Sequence, residues 1–490
     1  MAQMRLTLRP QIFLVLIVIL TALRPGDAGW VNDEPTLMEM AIAYNHTASH
    51  LYGIPLPFTP SPFGLVGTHG ERYGPAAVWL DQLFLIFTHN LIHMLAVRAV
   101  LFSALTAVAL YWLAKTLRLS PWFAVITMLS PMIWLFSRQL WDNTLCIPLS
   151  ALLLASYASF LAAAKPWTLI SVIVCCFMLP TIHLMAIAMV LPVLLHLLLF
   201  HRDRIWACRW KIGAALCFCL YLFWPYLYYS LEHFHPAVPT ENSPFRGWLF
   251  PLLGGHFLTL GVAGTMPCDG WQDHAPASLV SIVEHAQWIS HVAIGVVWLG
   301  MALAIPRAWA AFRRPGAANV TDHLCLVAMS VWICQTILDG LGRVYFAPHY
   351  YSATWIAYIF LAWIGADWLR SRIRNVFFIP IVSVYAFSLL LGIGIIATRV
   401  ALNAGTRNIF YGTCLRNQIA AIKKINNYSD NSKVDIEVPQ WNQFPLAWKV
   451  IRQLYPPTSA TRPQRNLVVK YRDSDPADAH ITVEEVPGSL

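Results

Sequence analysis

The sequence predicts an all-α polytopic membrane protein, a bundle of about eleven transmembrane helices with a small α+β tail, and three observations predict it. Hydrophobic residues fill 58% of the 490 positions and charged residues only 12%, about half the charge of a soluble chain. Apolar runs close to the ~20 residues that cross a bilayer recur until the polar tail begins. The 21 Trp and 18 Tyr suit the aromatic belts where such helices meet the headgroups.

The first run, IFLVLIVILTAL after Arg5 and Arg9, resembles a secretory signal but is read as an uncleaved span over 8–23, since membrane segments continue downstream. Residues 24–94 follow as an outer loop that closes in AAVWLDQLFLIFTHNLIHML, an amphipathic stretch suited to the membrane surface. Further spans are expected over 95–114, 121–137, 145–164, 167–180, 183–200 and 210–229. Those over 167–180 and 183–200 are two spans or one kinked helix; two spans put the basic loop HRDRIWACRWK in the cytoplasm. Residues 230–287 form a second outer loop. Spans over 288–305, 322–339, 351–369 and 376–397 complete a membrane domain of residues 1–397. Residues 398–490 read as an extracytoplasmic tail, with VDIEV, NLVVKY and HITVEEV as short strands beside helical patterns.

A net charge of +9 does not imply nucleic acid here, because of where the cations sit. Outside the tail they gather at Lys115 and Arg118, Arg202 to Lys211, Arg307 to Arg314 and Arg370 to Arg374, all on one side of the predicted bundle. That is the positive-inside pattern, and it directs both long loops outward. Eight of the ten Cys lie in or near spans, where they read as small apolar packing residues. Cys268 and Cys414 both fall outside; they are either a disulfide tying loop to tail or two unrelated thiols.

The polar residues that stand out converge on the outer side. Asp33 and Glu34 follow the first span. His69, Glu71 and Arg72 lie in THGERYGP, and Arg138 and Asp142 in the short turn SRQLWDN. His183 opens a span, while Arg343, Tyr345, His349 and Tyr350 lie in GRVYFAPHYY. Charges at a membrane edge are costly unless paired, solvated or used, so an outward polar cavity is expected. Each has a plainer reading as well. Asp33 caps the helix that Pro35 begins, His69 and Glu71 are solvated, Arg138 snorkels, and His183 binds a backbone group freed near Pro180. No Walker loop, GxGxxG, HExxH or GxSxG occurs, and no Cys spacing suits zinc, which argues against a nucleotide-driven or nicotinamide enzyme.

Taken in order, these elements resemble the polytopic GT-C glycosyltransferases, in the branch of protein O-mannosyltransferases and the lipid A aminoarabinose transferase. The resemblance is carried by DE after the first span, THGERYGPAAVWL, VRAVLFSALTAVALYWLAKTL, LSPMIWLFSRQLWDNTLCIP, LPTIHLMAIAMVLP and RVYFAPHYYSATWIAYIFLAW. Gly74-Pro75 stands where the family has an HPP-type turn, and the tail has no counterpart in it. The resemblance implies transfer of a sugar from a polyprenyl-phosphate donor to a lipid, glycan or protein acceptor, with the active site on the periplasmic face of a bacterial inner membrane. It implies Asp33 as catalytic base and Glu34 as its partner. It implies a donor-phosphate role for Arg138 and Arg343, a donor or sugar contact for His183, and a polar site position for Asp142. The other outer-face residues, His69, Glu71, Arg72, Tyr345 and His349, are substrate-binding candidates. A divalent metal held by Asp33 and Glu34 is left open. A polysaccharide polymerase or ligase and a lipid-linked glycan transporter are the alternatives; a transporter would show repeats and broken midplane helices, which the sequence lacks.

Overall fold

Backbone groups inside a bilayer find no water, so apolar runs of this length fold as helices that satisfy their own hydrogen bonds. The computed structural model describes residues 9–30, 33–45, 48–51, 54–66, 72–232, 277–341, 348–402, 415–427, 434–437, 444–456, 467–471 and 481–485. In chain order come α1 (Pro10–Ala22), α2 (Asp33–Asn45), a small antiparallel ribbon of β1 (Ser49–Leu51) and β2 (Ile54–Leu56), α3 (Ala76–Phe87) and α4 (Leu91–Thr116). Next are α5 (Trp122–Met128), α6 (Pro131–Phe136), α7 (Asn143–Ala163), α8 (Pro166–Ile182), α9 (Ile187–Phe200), α10 (Arg202–Ala207) and α11 (Arg209–Glu232). Then follow α12 (Ala277–Arg313), α13 (Val320–Leu341), α14 (Trp355–Arg372) and α15 (Asn375–Leu402). The tail contributes α16 (Leu415–Ile425), β3 (Val434–Glu437), α17 (Phe444–Leu454), β4 (Leu467–Tyr471) and β5 (Ile481–Glu485).

Among the described residues six helices are long and apolar enough to cross a membrane: α4, α7, α11, α12, α13 and α15. This is a mostly helical, multi-pass membrane protein. The expected spans differ from these in instructive ways. α1 has only 13 residues. The run 121–137 is broken where Ser130, ahead of Pro131, turns extended (ψ 125°) and separates α5 from α6. α8 passes through Pro180 and stops at Ile182, and His183 (φ −150°) then breaks the chain before α9, so 167–200 is two segments. The expected surface helix is also two pieces. α3 ends at Phe87, and the Asn90 side chain accepts from Ile92 N (3.0 Å) and His93 N (3.4 Å), starting α4 several residues early.

Lipid explains which faces are uncovered. α11 and α15 leave Phe218, Leu231, Phe377 and Phe387 more than three-fifths exposed, a surface that water would not tolerate over two helices. α3 is polar inside and apolar outside: Asp81 and Gln82 are fully buried while Leu83, Ile86 and Phe87 point out. Gln82 spends its amide on Thr59 O (2.8 Å) and Ser61 N (3.3 Å), which ties the outer loop to this helix.

The tail folds against the segment that carries Asp33. The runs read as strands pair in the order β3-β4-β5, parallel then antiparallel. Leu415 N donates to Ala28 O (3.0 Å) and Gln418 Nε2 to Trp30 O (2.7 Å). Lys449 meets Glu39 at 2.5 Å, and the Tyr455 hydroxyl bonds Asn90 Oδ1 (3.1 Å) at the start of α4. The tail helices therefore brace α2 and α4 together.

Candidate active site

Five charged side chains gather where α2, α3, α4 and α7 meet. Asp33 and Glu34 occupy the first turn of α2, favoured there by the positive end of the helix. Successive helical residues point ~100° apart, so the two carboxylates diverge. Asp33 accepts from Trp141 Nε1 at 2.7 Å and remains partly open, whereas Glu34 is buried and lies in the field of Arg98. As joint ligands of one ion the adjacent pair does not fit.

Trp141 is the centre of the cluster. Its indole holds Asp33, and its carbonyl accepts from Arg98 Nη2 (2.5 Å) and Thr144 Oγ1 (2.5 Å). Arg98 is fully buried and also donates Nη1 to Asp81 Oδ1 (3.0 Å) and Nη2 to Thr144 Oγ1 (3.1 Å). Asp142 caps α7 by accepting from Asn143 N at 2.7 Å, while its Oδ2 is buried with no hydrogen-bond partner.

Three acids, Asp81, Asp142 and Glu34, thus share the field of one buried guanidinium, and Asp33 adds its negative charge beside Asp142. Burial raises the Asp33 pKa above the usual carboxylate value, opposed by the Trp141 hydrogen bond. Asp142 is raised further, by burial first and then by the negative charge of Asp33. Burial pushes Asp81 up to about 6 against the pull of Arg98. Burial thus shifts all three acids toward the protonated form, the direction of shift that acid–base groups show.

The other expected residues that are described make contacts of their own. Arg138 donates to Thr21 O (2.9 Å), Leu23 O (2.6 Å) and Arg24 O (2.8 Å), closing the carbonyl end of α1. With Arg24, Asp27, Trp134 and apolar residues of α15 it also lines a cavity of about 290 Å³. His183 Nδ1 accepts from Met185 N (3.3 Å), and its buried ring lies between Tyr73 (5.1 Å) and Tyr350 (5.8 Å). Gly74 N donates to Thr181 O. A Cβ on Gly74 would come within 2.6 Å of that oxygen, so only glycine lets the turn approach α8. Arg72 stacks over Phe63 (4.2 Å) and Tyr229 (5.3 Å). His69, Glu71, Arg343, Tyr345, Cys268 and Cys414 lie outside the described residues, as does the His349 side chain.

Arg98 and Asp81 escape sequence reading because each sits inside an apolar or amphipathic pattern, and Trp141 because a tryptophan in the turn SRQLWDN reads as an ordinary interfacial aromatic. A charge inside an apolar run, as Arg98 is, was the available signal. The same signal would have found Asp339 near the end of α13, which accepts from Gln335 Nε2 (2.8 Å) and Tyr351 Oη (2.9 Å). Between α5, α12, α14 and α15 lies an apolar cavity of about 460 Å³ walled by Phe123, Trp288, Trp363 and Tyr385. Comparison with models of protein families and with curated proteins finds no match to this chain.

Proposed function

We propose that this chain is a GT-C-type membrane glycosyltransferase that moves a sugar from a polyprenyl-phosphate donor to a lipid, glycan or protein acceptor. The reading places about eleven spans in a bacterial inner membrane, with the tail and Asp33 on the periplasmic face. One observation carries it: a partly exposed carboxylate with a raised pKa, fixed by an indole N–H, at the start of a helix. A base for an acceptor hydroxyl needs that combination of access, orientation and proton affinity.

In the proposed reaction Asp33 takes the hydroxyl proton as the acceptor oxygen bonds to the anomeric carbon. The bond from that carbon to the phosphate oxygen breaks, with inversion, and the electron pair leaves on the phosphate. Arg138 and Arg343 are the cations assigned to that phosphate, and His183 is assigned to the sugar. Trp141, set by Arg98, orients the base. The apolar cavity of about 460 Å³ suits a polyprenyl chain.

The test incubates detergent-purified protein and envelope acceptors with radiolabelled polyprenyl-phosphate sugars. Label should pass to acceptor, and Asp33→Asn should cut the rate at least ~100-fold at unchanged abundance. Full activity in Asp33→Asn removes Asp33 as base. Label crossing liposomes without transfer identifies a transporter.

A further inference from the structure

Away from the acidic cluster, three buried histidines converge where α9 ends and α13 begins. His196 lies on α9, His201 follows its last residue, and His323 lies in the first turn of α13. One ring nitrogen from each lies within 4.8 Å of the other two, and their centroids are 5.0 to 5.3 Å apart. Among the described residues no other group of three or more His, Cys, Asp or Glu is arranged to hold an ion.

Without an ion the hydrogen bonds run in one line. Tyr157 donates to His196 Nδ1, His196 Nε2 donates to His323 Nδ1 (3.2 Å), and His323 Nε2 donates to Pro315 O (3.2 Å). That line leaves out His201, whose Nε2 is buried with no hydrogen-bond partner although the residue is only 9% exposed. Such an orphan costs about 1–3 kcal/mol.

A bound ion satisfies the whole group. Rotating the Tyr157 hydroxyl lets its oxygen accept from His196 Nδ1, which frees His196 Nε2 as a lone pair. His323 keeps its Nε2–H on Pro315 O and offers Nδ1. These are the outer contacts that fix a ligating imidazole in one tautomer. At metal–nitrogen bonds of ~2.0–2.1 Å, tetrahedral ligand nitrogens lie about 3.4 Å apart. The His196–His323 pair is already at 3.2 Å, so only His201 has to close in. Arg204 and Asp322 border the group with opposite charges, leaving the three neutral imidazoles to set the preference.

We propose that His196, His201 and His323 bind one divalent transition ion of the zinc type, which clasps the ends of α9 and α13, with water as fourth ligand. Three imidazoles suit zinc, and an all-nitrogen set does not suit magnesium or calcium.

Full-length protein without a polyhistidine tag, stripped with chelator, is titrated with Co²⁺ and then with Zn²⁺. One equivalent of Co²⁺ should give the visible bands of a tetrahedral site, and Zn²⁺ should abolish them. His201→Phe and His323→Phe should lose the bands, and Tyr157→Phe should weaken binding about 10–100-fold. X-ray absorption on the wild-type zinc form needs no variant and should show nitrogen neighbours at ~2.0–2.1 Å with no sulfur. Absence of stoichiometric Co²⁺ in the wild type, full bands in His201→Phe, or sulfur in the zinc shell overturns the proposal.

Discussion

At the scale of single residues, Trp141 decides how Asp33 behaves. Burial lifts the Asp33 pKa and the indole hydrogen bond lowers it, because that bond favours the charged form. The fold therefore prefers the neutral acid, and stability from this group falls as pH rises through the folded pKa. The proposed transfer would run the opposite way: a base must be a carboxylate, so its rate should rise with pH through that same value. In Trp141→Phe the hydrogen bond is gone and the acid limb of kcat/KM moves to higher pH. A merely structural role for Trp141 would lower the rate at every pH and leave the limb in place. Arg98 and Asp81 pose a question of magnitude. A buried ion pair is weakly stabilising as a whole, yet removing one partner costs about 3–5 kcal/mol because the other is stranded. Arg98→Met should thus lower the melting temperature in detergent sharply. The double change Asp81→Asn with Arg98→Met should recover a good part of that loss, a non-additivity read by the double-mutant cycle.

Between elements, α12 and α14 cross at close range. A Cβ added at Gly300 would lie 1.9 Å from Leu361 O, and one at Gly365 would lie 2.2 Å from Val296 O. Small residues allow such backbone approach in membranes, where packing replaces the hydrophobic effect between helices. Gly365→Ala should force the helices apart, cost about 1–3 kcal/mol, and loosen the neighbouring apolar cavity. Gly213→Ala in α11, where an added Cβ meets nothing within 4 Å, should be neutral or slightly stabilising through helix propensity. Thermal unfolding of both variants in the same detergent checks the difference in sign. Apolar length and charge asymmetry made the helices legible in the sequence, and alternation made the tail strands legible. Breaks were harder, because the one at Ser130 lies inside an apolar run and depends on a single following proline. Asp33, Glu34 and Asp142 were legible as acids flanking apolar runs. The pairing of Arg98 with Asp81 was not, since a contact across 17 residues leaves no periodic trace.

On the scale of the whole molecule, the tail and the acidic cluster are mechanically joined through α2. Behind the first turn that holds Asp33, the preceding segment is fastened by Ala28 O to Leu415 N, by Trp30 O to Gln418 Nε2, and by Asp27 to Arg416 at 2.9 Å. These fastenings differ in strength. Arg416 is 43% exposed, so solvent screens its pair with Asp27 to at most ~1 kcal/mol. Gln418 and Trp30 are fully buried, so cutting that hydrogen bond takes away a carbonyl partner that water does not readily replace, a loss of about 1–3 kcal/mol. Gln418→Ala should therefore loosen the tail more than Arg416→Ala, and raising the salt should mimic only the latter. Limited proteolysis of protein in detergent reads the loosening as faster removal of the region after residue 402. If docking holds α2 in register with Trp141, transfer should fall in step with that cleavage rate, while α4 and α7 resist the protease as before. Loss of transfer with the tail still fully protected would place the role of Gln418 at Trp30 itself, and normal transfer with a freely cleaved tail would uncouple the tail from Asp33.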